Sequence, residues 1–472
     1  MSLPSLHIGD LVARLPIIQG GMGVGISLSG LASAVANQGG VGVIATPMIG
    51  MYEPDRATNP EEADLRALKK EIRKAREMTN GVLGVNIMCA LTNFAELVRT
   101  SVREGIDVII AGAGLPLDMP AHLPEELKGK IHTKLVPIVS SGRAATLICK
   151  KWLKRFNRLP DAFVVEGPKA GGHLGFKREQ LDDPEYALEK IVPQTIEAVR
   201  EFETIAKRPI PVIAAGGVYS GADIVRFLEM GAAGVQMGTR FVATEECDAD
   251  IEFKMAFVNA KKEDIRVIQS PVGLPGRAVG NAFLDKVQSG QLKPHKCPYK
   301  CLASCPQEEG PYCIAKALMN AKRGILKHGF AFAGANAYLV DKIVTVKELF
   351  ASLSEEACRY SASRTARYVE NARHCLEQLQ GNAARCKLSA RKYLEQAQEE
   401  AARRTQSARQ YLEQMHGNAA RCKEGAKLYL TQVQEGAVRR KENARQYLTQ
   451  VQEKVSNTLQ DCMPDRLQSD TE

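Results

Sequence analysis

Eight short apolar runs, separated by stretches of helical composition, limit what this chain can fold into. They are Pro16–Gln19, Gly42–Ala45, Leu83–Met88, Val108–Ala111, Leu135–Val139, Ala162–Val165, Val212–Ala215 and Gly234–Met237. None alternates apolar with polar residues, as expected of strands buried on both faces, and Leu28–Gln38, Phe94–Glu104 and Gly221–Glu229 read as helices between them. Eight β/α units in about 230 residues predict an α/β fold, a (β/α)8 TIM barrel. An open doubly wound sheet is the alternative, but no single dinucleotide fingerprint follows the first run.

A barrel of this kind does its chemistry where strands end, and here those ends are rich in glycine. The first run leads into Gln19-Gly20-Gly21-Met22-Gly23, where missing side chains either let backbone approach a flat ligand or serve a tight turn. The seventh and eighth lead into Ala215-Gly216-Gly217 and Gln236-Met237-Gly238-Thr239. Backbone amides beside helix N-termini in these two loops are the phosphate cradle of the fold. The sixth run ends in Glu166-Gly167-Pro168-Lys169-Ala170-Gly171-Gly172-His173. A histidine among strand-end glycines suits a general acid or base, the alternative being an incidental loop histidine.

Together PIIQGGMG, GVNIM, AGAGLP, EGPKAGGHLG, AAGGVYSGADI, GVQMGTRFVAT and SPVGLPGRAV resemble the nitronate monooxygenase family, formerly 2-nitropropane dioxygenases, and the related flavin-type enoyl-acyl carrier protein reductases. The resemblance runs in order over roughly residues 14–280. It implies FMN held without covalent attachment, with Gly20, Gly21, Met22, Gly23, Asn86 and Gly172 toward the ring and Gly216, Gly217, Gly238 and Thr239 on the phosphate. It further implies Gln19, Glu166, Gly171, Ala215, Gln236 and Met237 as cofactor-binding, and His173 as proton acceptor or substrate orienter. Lys169 departs from the EAGGH arrangement frequent in the family, which leaves the substrate open.

Beyond the barrel, Cys297, Cys301, Cys305 and Cys313 place four thiolates within 17 residues. That number matches a [4Fe–4S] cluster, with zinc or buried thiols as alternatives. From Cys375 the chain repeats every 18 residues, five helical turns, so equivalent positions return to one face. In one unit that seam is Tyr411, Leu412, Met415, Ala419, Cys422 and Ala426, flanked by basic residues. A long helical tail is expected to self-associate or to bind a partner helix; a basic helix on an anionic membrane and a solvated extension are the alternatives. The implied organisation is a barrel over 1–285, a Cys-rich insert and closing segment over 286–350, and the tail over 351–472.

With 63 basic against 54 acidic residues and aromatics at 6%, no nucleic-acid footprint emerges. No long apolar run occurs either, so a soluble cytoplasmic protein acting on a small molecule is expected. The leading expectation is FMN-dependent oxidation of alkyl nitronates by oxygen. NAD(P)H-dependent reduction of an enoyl thioester or quinone is the second, and an assembly component anchored by its tail is a third, of another class.

Overall fold

The computed structural model describes residues 3–291, 299, 301, 302, 305, 310–380 (backbone alone for 365–380) and scattered positions between 396 and 407. Cys297 and nearly all of the repeats lie outside the described residues. By contacts the chain divides into Met1–Glu370 and Asn371–Glu472.

All eight apolar runs are strands: β1 (Ile17–Gln19), β2 (Gly42–Ala45), β3 (Leu83–Met88), β4 (Val108–Gly112), β5 (Lys134–Val139), β6 (Phe163–Glu166), β7 (Val212–Ala215) and β8 (Gly234–Met237). They are parallel, in the order β1-β8-β7-β6-β5-β4-β3-β2. A parallel bridge between Ile18 and Val41 joins the two ends and closes the barrel. Gln19 reinforces that seam. Its side-chain oxygen accepts from the Val43 N–H at 2.9 Å and its amide donates to the Gly20 carbonyl, so this fully buried side chain is committed to closure rather than to a ligand.

Strand pleating sorts the apolar residues into two layers. Ile18, Val43, Val108, Ile110, Val136, Val164 and Ile213 fill the barrel interior, and Leu6, Ile8 and Ala13 of an N-terminal hairpin join them. A second, larger core lies between strands and helices. Each such side chain contributes roughly 1.5–3 kcal/mol.

The crossover helices are α1 (Ser29–Asn37), α2 (Pro60–Met78), α3 (Phe94–Arg103), α4 (Gly142–Phe156), α5 (Leu188–Ala206), α6 (Gly221–Glu229) and α7 (Thr239–Val242). Between β4 and β5 the chain makes two short 3-10 turns instead of a helix. Pro116, Pro120 and Pro124 explain this, since each lacks an N–H and disfavours helical backbone before it.

After β8 the chain adds α8 (Ile251–Val258), an antiparallel pair (Ile265–Gln269 and Pro275–Val279), α9 (Ala282–Gln288) and α10 (Ile314–Lys322). It then returns to the barrel as α11 (Val346–Gln380). Val346, Leu349, Phe350, Leu353 and Ala357 are buried in the outer core, with Phe350 beside Phe241 and over Gly40. The tail boundary drawn at 351 from the repeats therefore falls inside a helix whose first three turns complete the barrel's outer layer.

Candidate active site

Three polar residues of one pleat parity stand at the strand ends. Two residues beyond the interior Val164 comes Glu166, and Gln236 lies beside it on the far side of Ala215, in register across β6, β7 and β8. Asn86 pairs with the interior Ile110, to whose carbonyl its side chain donates at 3.2 Å. The Gln236 Oε1 is buried without a hydrogen-bond partner. Burial pushes the Glu166 carboxyl up to about 7, and no described residue hydrogen-bonds it. A carboxyl with a raised pKa and an unpartnered amide oxygen thus stand close together at the barrel mouth, a combination that suits a ligand site.

The loop after β1 is a close-packed turn. The Gly20 N–H donates to the Met237 carbonyl at 2.8 Å, and the Met22 N–H to Ser27 Oγ at 2.9 Å. A side chain at Gly21 would begin 2.2 Å from the Asn86 Cβ, so glycine is required for the loop to pass over β3.

His173 ends the loop after β6 in a two-residue strand, Gly172–His173, which pairs with Gly276 and Arg277. Its Nε2 lies 2.7 Å from Ser270 Oγ and its ring meets Phe332 edge-on at 5.0 Å. Desolvation lowers its pKa to about 4, leaving a neutral imidazole at neutral pH. Arg277 fixes the loop from below, donating to the carbonyls of Pro168 and Ala170 at 2.6 and 2.7 Å. Ser270, Arg277 and Phe332 were not among the sequence candidates. Two of them lie in SPVGLPGRAV, but nothing in that spacing says the segment returns to a loop about a hundred residues earlier.

The loops after β7 and β8 meet a fourth segment. Gly216 and Gly217 have φ of +87° and +100°, which glycine alone adopts readily. Asn336 Nδ2 donates to the Gly217 carbonyl at 2.8 Å, the Ala335 N–H to the Lys169 carbonyl at 3.0 Å, and a side chain at Gly334 would begin 2.7 Å from Thr239 Oγ1. No described residue accepts from the backbone N–H of Gly217, Val218, Gly238 or Thr239. Beside Gly238 and Gly172 there is open space: a side chain at Gly238 would meet only Met22 Sδ, at 4.0 Å, and one at Gly172 nothing. Unpartnered loop donors with open space beside Gly238 fit a phosphate.

One expectation needs correcting here. The N-terminus of α6 is already occupied by this chain's own carboxylates. Asp223 accepts from the N–H groups of Tyr219 and Ser220 at 3.1 and 3.0 Å, and Glu356 of α11 accepts from that of Gly221 at 2.8 Å. The Gly221 N–H is thus already met within the chain, whereas the loop amides of Gly217, Val218, Gly238 and Thr239 are not met by a described residue.

The cysteine segment runs along the loops after β1 to β3. Leu302 bridges to Leu91, the Thr92 N–H donates to the Cys301 carbonyl at 3.4 Å, and Cys301 and Cys313 pack with Val24, Met48, Met51 and Tyr299. Among the described residues no group of three or more His, Cys, Asp or Glu is placed to hold a metal ion. Cys301, Cys305 and Cys313 are among the residues so searched, and Cys297, the fourth of the expected ligands, lies outside the described residues. Nor is any described helix long and apolar enough to cross a membrane.

The eight parallel strands, with a half-buried histidine and glycine-rich loops at their ends, make this a protein of the TIM-barrel class. A family model described as nitronate monooxygenase matches residues 6–356, and the chain belongs to that family. A coenzyme A thioester enzyme of Mycobacterium tuberculosis, (3aS,4S,5R,7aS)-5-hydroxy-7a-methyl-1-oxo-octahydro-1H-indene-4-carboxyl-CoA dehydrogenase, is 28% identical over 58% of this chain and 66% of its own length, just under two thirds. A probable nitronate monooxygenase of Staphylococcus saprophyticus is 26% identical over 61% of this chain and 81% of its own. The solved structure of FabK from Thermotoga maritima superimposes with a TM-score of 0.58 at 28% identity, covering 75% of this chain and 96% of that one. A nitroalkane oxidase of Streptomyces ansochromogenes, at 22% identity and a TM-score of 0.57 over 74% and 98%, shares the fold.

Proposed function

We propose that this chain is an FMN-dependent oxidoreductase that oxidises alkyl nitronates with oxygen. The observation that carries the reading is the pairing, at one barrel mouth, of unpaired amides at Gly217, Val218, Gly238 and Thr239 with a neutral, half-buried His173. The amides would hold the FMN phosphate, and Asn86, Glu166, Gly172 and Gln236 would border the ring. FMN held there would supply the redox chemistry, a two-electron oxidation of the anionic substrate with oxygen as the final acceptor.

The residues of this chain do the rest. Phe332 and Ser270 hold the imidazole in place, one by its edge contact and the other by its hydrogen bond. When the substrate is a neutral nitroalkane, the unprotonated imidazole accepts its α-proton; a nitronate arrives already ionised and needs orientation only. Burial raises the pKa of the Glu166 carboxyl, so in its protonated form it offers a donor rather than a second negative charge beside the anionic substrate.

A second reading, reduction of an enoyl thioester by NAD(P)H on the same flavin, is favoured by the likeness to FabK and to a relative named for a coenzyme A thioester. Protein purified without added flavin should release about one FMN per chain on heating, read by chromatography. Anaerobic mixing with a nitronate should then bleach the flavin absorbance. Bleaching by NAD(P)H and not by nitronate would transfer the conclusion to the second reading, and absence of FMN after reconstitution would remove both.

A further inference from the structure

The arginines around the cradle are already paired. Two carboxylates, Asp223 and Glu356, close the N-terminus of α6 immediately after the Gly217 loop, and Arg226 lies 3.3 Å from Asp223. Arg240, which follows Thr239, is committed elsewhere. Its guanidinium donates to the Tyr219 carbonyl at 3.2 Å, lies 4.8 Å over the Tyr219 ring and sits 3.8 Å from the Glu356 carboxylate. A phosphate carrying nearly two negative charges, placed on the amides of Gly217 and Gly238, needs a cation that these groups do not supply.

Lys169 stands in the right place. Its Cβ, Cγ and Cδ lie 2.9, 3.6 and 3.2 Å from where a side chain on Gly217 would begin, so its stem runs along the cradle backbone. The ammonium is two bonds beyond Cδ and so lies within about 6 Å of that point, inside the reach of a phosphate held there. The backbone beneath is fixed from two sides, by Ala335 on the Lys169 carbonyl and by Arg277 on its two neighbours' carbonyls. Among the described residues no carboxylate lies within salt-bridge distance of Lys169. The side chain is exposed, so it gives up no existing partner to meet a ligand.

We infer that Lys169 is the cationic ligand of the cofactor phosphate, a role resting on the FMN reading above. It gives a function to the lysine found where the family frequently has a glutamate. A glutamate there would put a negative charge beside the phosphate where this chain has a positive one, so the exchange changes how the phosphate is neutralised.

The test compares FMN with riboflavin, which lacks only the phosphate, by fluorescence titration of the flavin-free full chain at low and high salt. Lys169→Ala should weaken FMN about tenfold to a hundredfold, the range for a charge-assisted contact. Riboflavin affinity should be unchanged. Lys169→Arg should restore FMN binding to within a few-fold, Lys169→Glu should weaken it beyond alanine, and the salt dependence of FMN binding should shrink in the alanine variant. FMN affinity of Lys169→Ala within twofold of the parent, or an equal loss for riboflavin, would overturn the assignment while leaving the FMN reading intact. A parent that binds neither flavin, or binds both equally well, would overturn the phosphate site itself and the assignment with it.

Discussion

Replacing Glu166 by glutamine should abolish a pH-dependent loss of stability in the flavin-free protein. Burial raises the folded-state pKa of this carboxyl from 4.5 to about 7. The folded state therefore keeps a proton that the unfolded chain releases. The acid's contribution to stability is highest below the unfolded pKa, falls as pH rises through the window from about 4.5 to about 7, and levels off once both states are ionised. Linkage puts the cumulative loss at about 0.8 kcal/mol by pH 5 and about 3.4 kcal/mol by pH 8, so about 2.5 kcal/mol disappears between them. Glutamine has nearly the same shape and does not titrate. The stability difference between variant and parent should therefore grow by about 2.5 kcal/mol over that interval. Urea denaturation at pH 5, 6, 7 and 8 measures it, with the fluorescence of Trp152, the sole and fully buried tryptophan, as the probe. A difference that stays constant from pH 5 to pH 8 would refute the argument that burial holds this carboxyl protonated.

Gly238→Val should fold normally, because the backbone there has φ of −111° and open space beside it, yet it should lose FMN as the new side chain fills the phosphate's place; stoichiometric flavin in the purified variant would contradict this. His173→Asn should retain FMN but turn over a neutral nitroalkane about 10² to 10⁴-fold more slowly, with a much smaller loss on the pre-formed nitronate, so equal losses on both would assign His173 to anion binding instead. In a Glu166→Gln background, where that carboxyl no longer titrates, the rate constant for proton removal should stay level as pH falls from 8 to 5.5, because the imidazole remains unprotonated until about 4; a decline with a midpoint near 6.5 would show an ordinary, water-exposed histidine. A chain ending at Glu370 should keep its fold and flavin, whereas one ending before Val346 should not. The shorter chain lacks Leu349, Phe350 and Leu353, each of which would cost roughly 2–5 kcal/mol even as a single truncation to alanine. Soluble, flavin-loaded protein from the shorter chain would show that α11 is dispensable to the barrel.

The sequence by itself determined the barrel strands, each to within a residue at either end. A strand buried on both faces must be apolar throughout, and that pattern is local and repeats eight times. It also marked the glycine loops and His173, because loops at strand ends carry few packing duties that would otherwise explain those residues. Other features arise only from long-range contact. The composition of Gln19 does not reveal that its side chain closes the barrel seam, since its partner, Val43, belongs to the next strand. Spacing could not announce that Glu356 would fill the N-terminus of α6, nor that Ser270 and Arg277 would hold the His173 loop. The 18-residue period drew attention to the end of the chain as a tail, while the apolar stripe of Val346, Leu349, Phe350 and Leu353 had already been taken up by the barrel. A helix reads the same in sequence whether its apolar face meets its own barrel or another chain. Only the folded structure, by bringing Phe350 against Phe241 and Glu356 against Gly221, decides which.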